Sequence, residues 1–271
     1  MSDAGASDRP FAAGMYDYLL GGGANSPADR AAAERIRQVM PEAASVAWAN
    51  RGFQQRAVRR MAGEWGIRQF LDLGAGLPTQ RHTHEVAGPG CRVVYVDNDP
   101  RVVERGERLL TDVDGAAVVG ADLCDPAAVL DHPRTRGLID LDRPVGLLLV
   151  SVLQFVPDDD DPWGLVRRYM AALAPGSFLA LSAPTGDRQA PRIVSGARKV
   201  YEATPTPVVA RSREQVERFF AGLEVVPPYP GAEPAVTYVG VWGAEDPAAA
   251  DDDASRWMYA GVARKPEEGP R

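Results

Sequence analysis

Beyond position 67, short apolar runs alternate with segments in which apolar residues recur at helical spacing. The runs near 69–74, 92–97, 116–121, 144–151 and 177–183 predict strands, and the stretches near 79–87, 100–110, 125–131 and 161–173 predict helices. This β-α-β-α rhythm predicts an α/β fold, a doubly wound, mostly parallel sheet with helices on both faces. The first runs carry little polar alternation, as strands covered on both sides do. Before position 67 the pattern is helical. Ser26, Pro27 and Asp29 have the order of an N-cap, a first helical position and an acidic first turn. Met40-Pro41 ends that helix, and 42–61 reads as the next, with Val46, Phe53, Ala57 and Met61 apolar. Beyond Thr185 lies a stretch without a strand, holding a helix around Pro191 to Tyr201 and then Thr204-Pro205-Thr206-Pro207; an insertion of this kind is a candidate lid. Ser212 and Gln215 make a capping box that opens a helix to Ala221, and strands follow near 223–227 and 256–263. The acidic loop 245–253 between them reads as solvated. The expected organisation is a disordered 1–10, a helical extension over 11–65, an α/β domain over 66–264 with its insertion at about 186–210, and a tail at 265–271.

Composition narrows the function classes. The 271 residues are 45% hydrophobic and 25% charged, an ordinary globular balance. A formal net charge of −7 opposes a nucleic-acid partner. Cys91 and Cys124 make neither a disulfide framework nor a metal spacing. The start, MSDAGASDRP, has no basic-then-apolar leader, and no apolar run reaches membrane-spanning length. The expectation is a cytoplasmic protein without a membrane partner.

The chemistry begins at QFLDLGAGLPTQ, where the first predicted strand runs into Gly74-Ala75-Gly76. Glycines let backbone approach a ligand with no β-carbon in the way. The second predicted strand ends in Asp97, placed to accept hydrogen bonds from ribose hydroxyls, and the third ends in Asp122, placed for an exocyclic adenine amine. The competing role for acids here is helix capping, with Asp97 or Asp99 before Pro100 and Asp125 before the next helix. A dinucleotide site calls for a third glycine where Pro78-Thr79 stands, and it has no use for Asp72 beside the turn. S-adenosylmethionine has no pyrophosphate and carries an ammonium that an acid suits, so the pattern favours that cofactor over NAD.

Asp72-Leu73-Gly74-Ala75-Gly76 with Val94-Tyr95-Val96-Asp97 resembles the seven-stranded, Rossmann-like class I S-adenosylmethionine-dependent methyltransferases. Tyr16-Asp17-Tyr18-Leu19-Leu20-Gly21-Gly22, Ala49-Asn50-Arg51, Gly76-Leu77-Pro78-Thr79-Gln80 and Tyr95-Val96-Asp97-Asn98-Asp99-Pro100 are similar to an actinobacterial S-adenosyl methyltransferase family once described as a domain of unknown function. So are His84-Glu85-Val86-Ala87 and the closing Trp257-Met258-Tyr259-Ala260-Gly261-Val262-Ala263. The resemblance implies a sheet whose last strand is antiparallel, S-adenosylmethionine as cofactor and S-adenosylhomocysteine as product. It places Asp72, Gly74, Ala75, Gly76 and Thr79 at the methionine end, Asp97 and Asn98 on ribose and adenine, and Asp122 and Leu123 on adenine. Ser151 and Val152 then lie beneath the transferable methyl, and Tyr18 and Arg51 line the mouth, with Arg51 on the cofactor carboxylate.

Methyl transfer needs alignment and, for a hydroxyl or amine, a base. The candidate catalytic residues are Tyr16, His84 and Gln154. On a helix, His82 and His84 would point about 200° apart and form no metal face, so no metal is expected. His84 is expected as a cap or packing residue, with a base as its alternative, and His132 has no evident partner. Tyr16-Asp17-Tyr18 precedes Gly21-Gly22-Gly23, which reads either as the hinge of a flap or as the end of a packed terminal helix. Asp158 to Asp161 read as an acidic helix start rather than a calcium loop. The expected function is methyl transfer to an unidentified small-molecule acceptor, with a homodimer left open. The alternatives are an NAD(P)-dependent oxidoreductase and a non-catalytic S-adenosylmethionine-binding sensor or partner protein.

Overall fold

The computed structural model describes residues 9–77, 81–202, 204 and 208–267. Its strands are β1 (Gln69–Leu73), β2 (Arg92–Asp97), β3 (Ala116–Gly120), β4 (Gly146–Val150), β5 (Phe178–Pro184), β6 (Glu224–Val225), β7 (Thr237–Tyr238) and β8 (Met258–Arg264). They form one sheet in the order β3-β2-β1-β4-β5-β8-β6, with β7 also paired to β8. The first five are parallel, and β8 runs antiparallel to β5, β6 and β7. The sheet therefore has eight strands rather than the expected seven. The extra one is the two-residue β7, too short to leave a periodic signal. The expected strand at 223–227 shrinks to Glu224–Val225 for the same lack of partners: it pairs only with the end of β8.

Side-chain alternation explains why the central strands read as continuous apolar runs. Leu71, Val94 and Leu147 are register partners on one face, packed with Leu165, Val166 and Tyr169. Phe70, Val93 and Leu148 face the other way, against Phe53, Ala57, Val58 and Met61. Both faces are buried, so both are apolar except where a polar side chain such as Asp72 finds partners.

The helices are α1 (Ala12–Leu19), α2 (Pro27–Val39), α3 (Ala43–Gly63), α4 (Thr83–Ala87), α5 (Pro100–Leu109), α6 (Pro126–Leu130), α7 (Pro133–Leu138), α8 (Pro162–Ala172), α9 (Pro191–Tyr201) and α10 (Arg213–Glu217). The capping signals act as the sequence indicates. Ser26 and Asp29 form a reciprocal box on α2, Ser212 and Gln215 form one on α10, and Asp99 and Asp125 cap α5 and α6. Three local expectations change. His132 does have a partner: its Nδ1 accepts the Arg134 N–H at 3.1 Å and caps α7, a helix the pattern missed. Of the acidic quartet, Asp158–Asp160 form a 3₁₀ turn and only Asp161 caps α8, accepting the Gly164 N–H at 2.9 Å. Among the described residues, the helix after the glycine turn spans Thr83–Ala87.

The turn between α1 and α2 is fastened, not loose. Asp17 Oδ2 accepts the Ala24 N–H at 2.9 Å and the Asn25 amide at 2.7 Å, and Gly22 packs directly on the Asp17 carboxyl. Asp29, fully buried, also accepts the Phe11 N–H at 2.9 Å. Phe11 in turn packs with Leu77 and Val102, which seats the start of α1 on the loop after β1. The α9 segment completes this layer: Val200 and Tyr201 pack with Met15 and Ile36, and Gly196 lies against Val39.

Candidate active site

The strand order reverses between β1 and β4, and the carboxyl ends of these neighbours diverge there, which opens a crevice in a parallel sheet. Gly74 and Gly76 both have φ +67°, the left-handed region that favours glycine. A β-carbon on Gly74 would run into the Val152 side chain. The Gly74 and Ala75 N–H groups donate to Val96 O at 2.8 and 3.1 Å, and the Gly76 N–H donates to Asp97 Oδ2 at 3.0 Å. Asp97 Oδ1 accepts the Asp99 N–H at 3.0 Å. Burial nonetheless holds the Asp97 pKa above its usual value.

Beside this turn is a cavity of about 360 Å³, lined by Arg51, Asp72, Gly76, Thr83, His84 and Asp97 among others. Asp72 is 4% exposed and accepts from Thr83 Oγ1 at 2.6 Å and Gln54 Nε2 at 3.0 Å. Gln54 Oε1 accepts from Arg51 Nη1 at 2.9 Å, and the Arg51 guanidinium lies 5.8 Å from the Tyr16 ring centre. Burial raises the Asp72 pKa to about 6, opposed by the Thr83 hydrogen bond and the Arg51 charge. Gln54 and Thr83 had no motif to announce them. The only signal was a polar residue at i+3 from Arg51 on an otherwise apolar helix face.

The histidines do not take the expected geometry. His82 is the extended N-cap of α4, so its ring stacks on that of His84, with centres 5.6 Å apart and planes 8° apart. His84 Nδ1 lies 2.8 Å from the Tyr95 hydroxyl, which also accepts the His84 N–H at 2.9 Å. Burial lowers the pKa of His84 and pulls that of His82 down to about 4. Both rings are thus neutral near pH 7, and Nδ1 of His84 is already engaged.

Asn98 and Asp122 are exposed and line an open depression beside Pro100, Val103 and Glu107. The Asp97 cavity touches α5 at Val102, Arg105 and Gly106. The acids closing β2 and β3 thus line neighbouring depressions, on adjacent strand ends joined by the Ala121 N–H to Asp97 O bond at 3.1 Å. Asp122 Oδ1 accepts the Cys124 N–H at 2.8 Å, and Leu123 O accepts the Tyr169 hydroxyl at 2.8 Å.

At the end of β4, Ser151 has φ +55°, a strained conformation for a residue with a β-carbon. Its N–H donates to both the carbonyl and the hydroxyl of Ser182, each at 3.1 Å. Ser182 Oγ donates to Asn50 Oδ1 at 2.6 Å, Asn50 Nδ2 donates to the Tyr16 hydroxyl at 2.9 Å, and Tyr16 donates to Ala47 O at 3.0 Å. Burial raises the Tyr16 pKa. Gln154 Nε2 donates back to Ser151 O and Oγ at 2.8 and 2.9 Å. Arg211, fully buried, donates to Leu153 O and Val156 O at 2.7 and 2.6 Å and pairs with Asp158 at 2.8 Å. No motif or spacing pointed to the roles of Ser182 and Arg211. Tyr18 points elsewhere: its hydroxyl donates to Glu34 Oε1 on α2 at 2.7 Å. Thr79 and Pro78 lie outside the described residues.

Comparison with known proteins adds an independent line. A model described as S-adenosyl methyltransferase matches residues 2–266. The chain is similar to the crystal structure of a DUF574 family protein from Streptomyces avermitilis, at 40% identity and a TM-score of 0.88 over 96% of this chain and 99% of that one. A structure from Thermobifida fusca gives 39% identity and a TM-score of 0.88 over 96% and 97%. The N-methyltransferase NodS from Bradyrhizobium japonicum, solved in complex with S-adenosylhomocysteine, shares the fold at 14% identity, with a TM-score of 0.50 over 79% and 86%. The carboxy-S-adenosylmethionine synthase of Citrifermentans bemidjiense is 31% identical over 41% of this chain and 42% of that protein, so the match spans less than half of that curated relative.

Proposed function

The chain belongs to the S-adenosyl methyltransferase family, and from that premise we propose that it transfers the methyl group of S-adenosylmethionine to a small-molecule acceptor. The observation that carries the site assignment is the Gly76 N–H to Asp97 bond. It fastens a turn with bare backbone at Gly74 and Gly76 to a carboxylate at the mouth of the crevice.

The residues present suit this cofactor. Each Asp97 oxygen has accepted one N–H and keeps a lone pair for a ribose hydroxyl. Asn98, Asp122 and Leu123 are offered to the adenine. Gly74, Ala75 and Gly76 admit the methionine end, with Asp72 toward its ammonium and Arg51 toward its carboxylate; both line the cavity. Bound S-adenosylmethionine supplies a methyl group already activated by its positive sulfur. The chain then has to orient the acceptor and exclude water. The 11–65 extension and the 186–210 insertion serve as the cover: Phe11 seats on Leu77, and Tyr201 packs against the α1–α2 layer. A net charge of −7 argues for a small acceptor over a nucleic acid. Among the described residues no helix is long and apolar enough to cross a membrane.

Calorimetry tests the reading. S-adenosylmethionine or S-adenosylhomocysteine should bind and NADH should not; NADH binding alone would overturn it. Turnover is tested by transfer of labelled methyl into a metabolite extract. Binding with no labelled product would favour a sensor.

A further inference from the structure

Gln154 is 6% exposed, and its two polar atoms are treated differently. Nε2 is doubly bonded to Ser151, whereas Oε1 is buried and has no hydrogen-bond partner among the described residues. A buried carbonyl left unpaired is costly, so a side chain held in place this way is poised for a donor that arrives with a ligand. The holding is elaborate. Ser151 is kept at φ +55° by Ser182, Ser182 by Asn50, and Asn50 by Tyr16, so the orientation of the Gln154 amide is fixed from three separate elements. On the backbone side, Gln154 O accepts the Val209 N–H at 2.8 Å, which ties the same turn to the end of the insertion. Next to it, the Phe155 ring lies 6.4 Å from that of Tyr201. Val152, two residues earlier, packs on Gly74. Gln154 thus belongs to the turn at the crevice end of β4, whose Val152 packs on the glycine turn and whose Phe155 faces Tyr201.

We propose that Gln154 Oε1 contacts the atom to be methylated, accepting a hydrogen bond from its N–H or O–H, so that the acceptor is an amine or a hydroxyl compound rather than a thiolate or carboxylate. The inference rests on the methyl-transfer reading above. An amide carbonyl orients that hydrogen and takes no proton: the acceptor lone pair forms the bond to the methyl carbon as the carbon–sulfur bond breaks, that electron pair stays on the sulfur of S-adenosylhomocysteine, and the acceptor's proton passes to water after transfer. The hydrogen bond therefore turns a lone pair of the acceptor toward the methyl position without introducing an ionisation of its own.

The test uses two probes on the full chain. One is S-adenosylhomocysteine. The other is sinefungin, in which a carbon bearing an ammonium replaces the methylsulfonium, so that its N–H groups stand at the methyl position and reach toward the acceptor's place. Calorimetric affinities are measured for the wild type and for Gln154→Leu and Gln154→Met. Loss of one hydrogen bond to a charged donor is expected to weaken sinefungin by about ten- to a hundredfold while S-adenosylhomocysteine stays within about twofold. A purely structural role moves both probes together, and that result would overturn the proposal. So would unchanged binding of both. If S-adenosylhomocysteine fails to bind the wild type, the methyl-transfer reading itself falls and takes this inference with it.

Discussion

The Gly76 N–H donates to Asp97 Oδ2 at 3.0 Å, so the turn that closes β1 and the acid that closes β2 are one unit. Asp97→Ala removes the anchor of the turn and, on our reading, the acceptor of the ribose hydroxyls. It is expected to weaken S-adenosylhomocysteine binding by about ten- to a hundredfold, read by calorimetry, with Asp97→Asn retaining part of the affinity. Unchanged affinity in the alanine variant would remove the acid from the cofactor site.

Gly74 combines φ +67° with direct contact on Val152. Gly74→Ala should destabilise the fold by roughly 2–4 kcal/mol, the sum of a left-handed alanine and an overpacked contact. The double variant with Val152→Ala should recover the contact part only. Denaturant unfolding separates the two contributions.

Asp72 gives a pH signature. Its folded pKa of about 6 lies above the unfolded value of about 3.9, because burial disfavours the charged form. The folded state therefore holds the proton more tightly. The stability this confers is fully present below about pH 4 and is lost as pH rises through about 6. Asp97, also raised, acts in the same direction. Asp72→Asn should flatten the stability profile over that window by an amount on the order of 3 kcal/mol at most. Chemical denaturation at several pH values measures it, and an unaltered slope would argue against a raised pKa at this site.

The Tyr16–Asn50–Ser182 chain links the helical extension to the β4–β5 edge. Asn50→Ala leaves the buried Ser182 hydroxyl without its acceptor and should cost about 1–3 kcal/mol. A double-mutant cycle with Tyr16→Phe is expected to show coupling of about 0.5–1.5 kcal/mol, as for residues in one hydrogen-bonded network. Strict additivity would mean that the extension and the sheet edge are energetically separate.

Much of this was legible in the chain because its signals are local. Apolar runs such as Val93-Val94 report burial on both sides, and Ser26, Asp99, Asp125 and Ser212 act as caps because a cap is formed within a few residues of sequence. The glycine turn and Asp97 followed from the same logic, since strand ends in a doubly wound sheet have one accessible edge. The partners of Asp72, the stacking of His82 on His84, the neighbouring depressions lined by Asp97 and Asp122, and the support of Ser151 by Ser182 and Asn50 were settled only in three dimensions. Each joins residues distant in sequence or depends on a backbone angle that no periodicity encodes. A buried carboxylate or amide takes whichever donor the packed elements bring within 3 Å, and that choice belongs to the assembled layers rather than to any one segment.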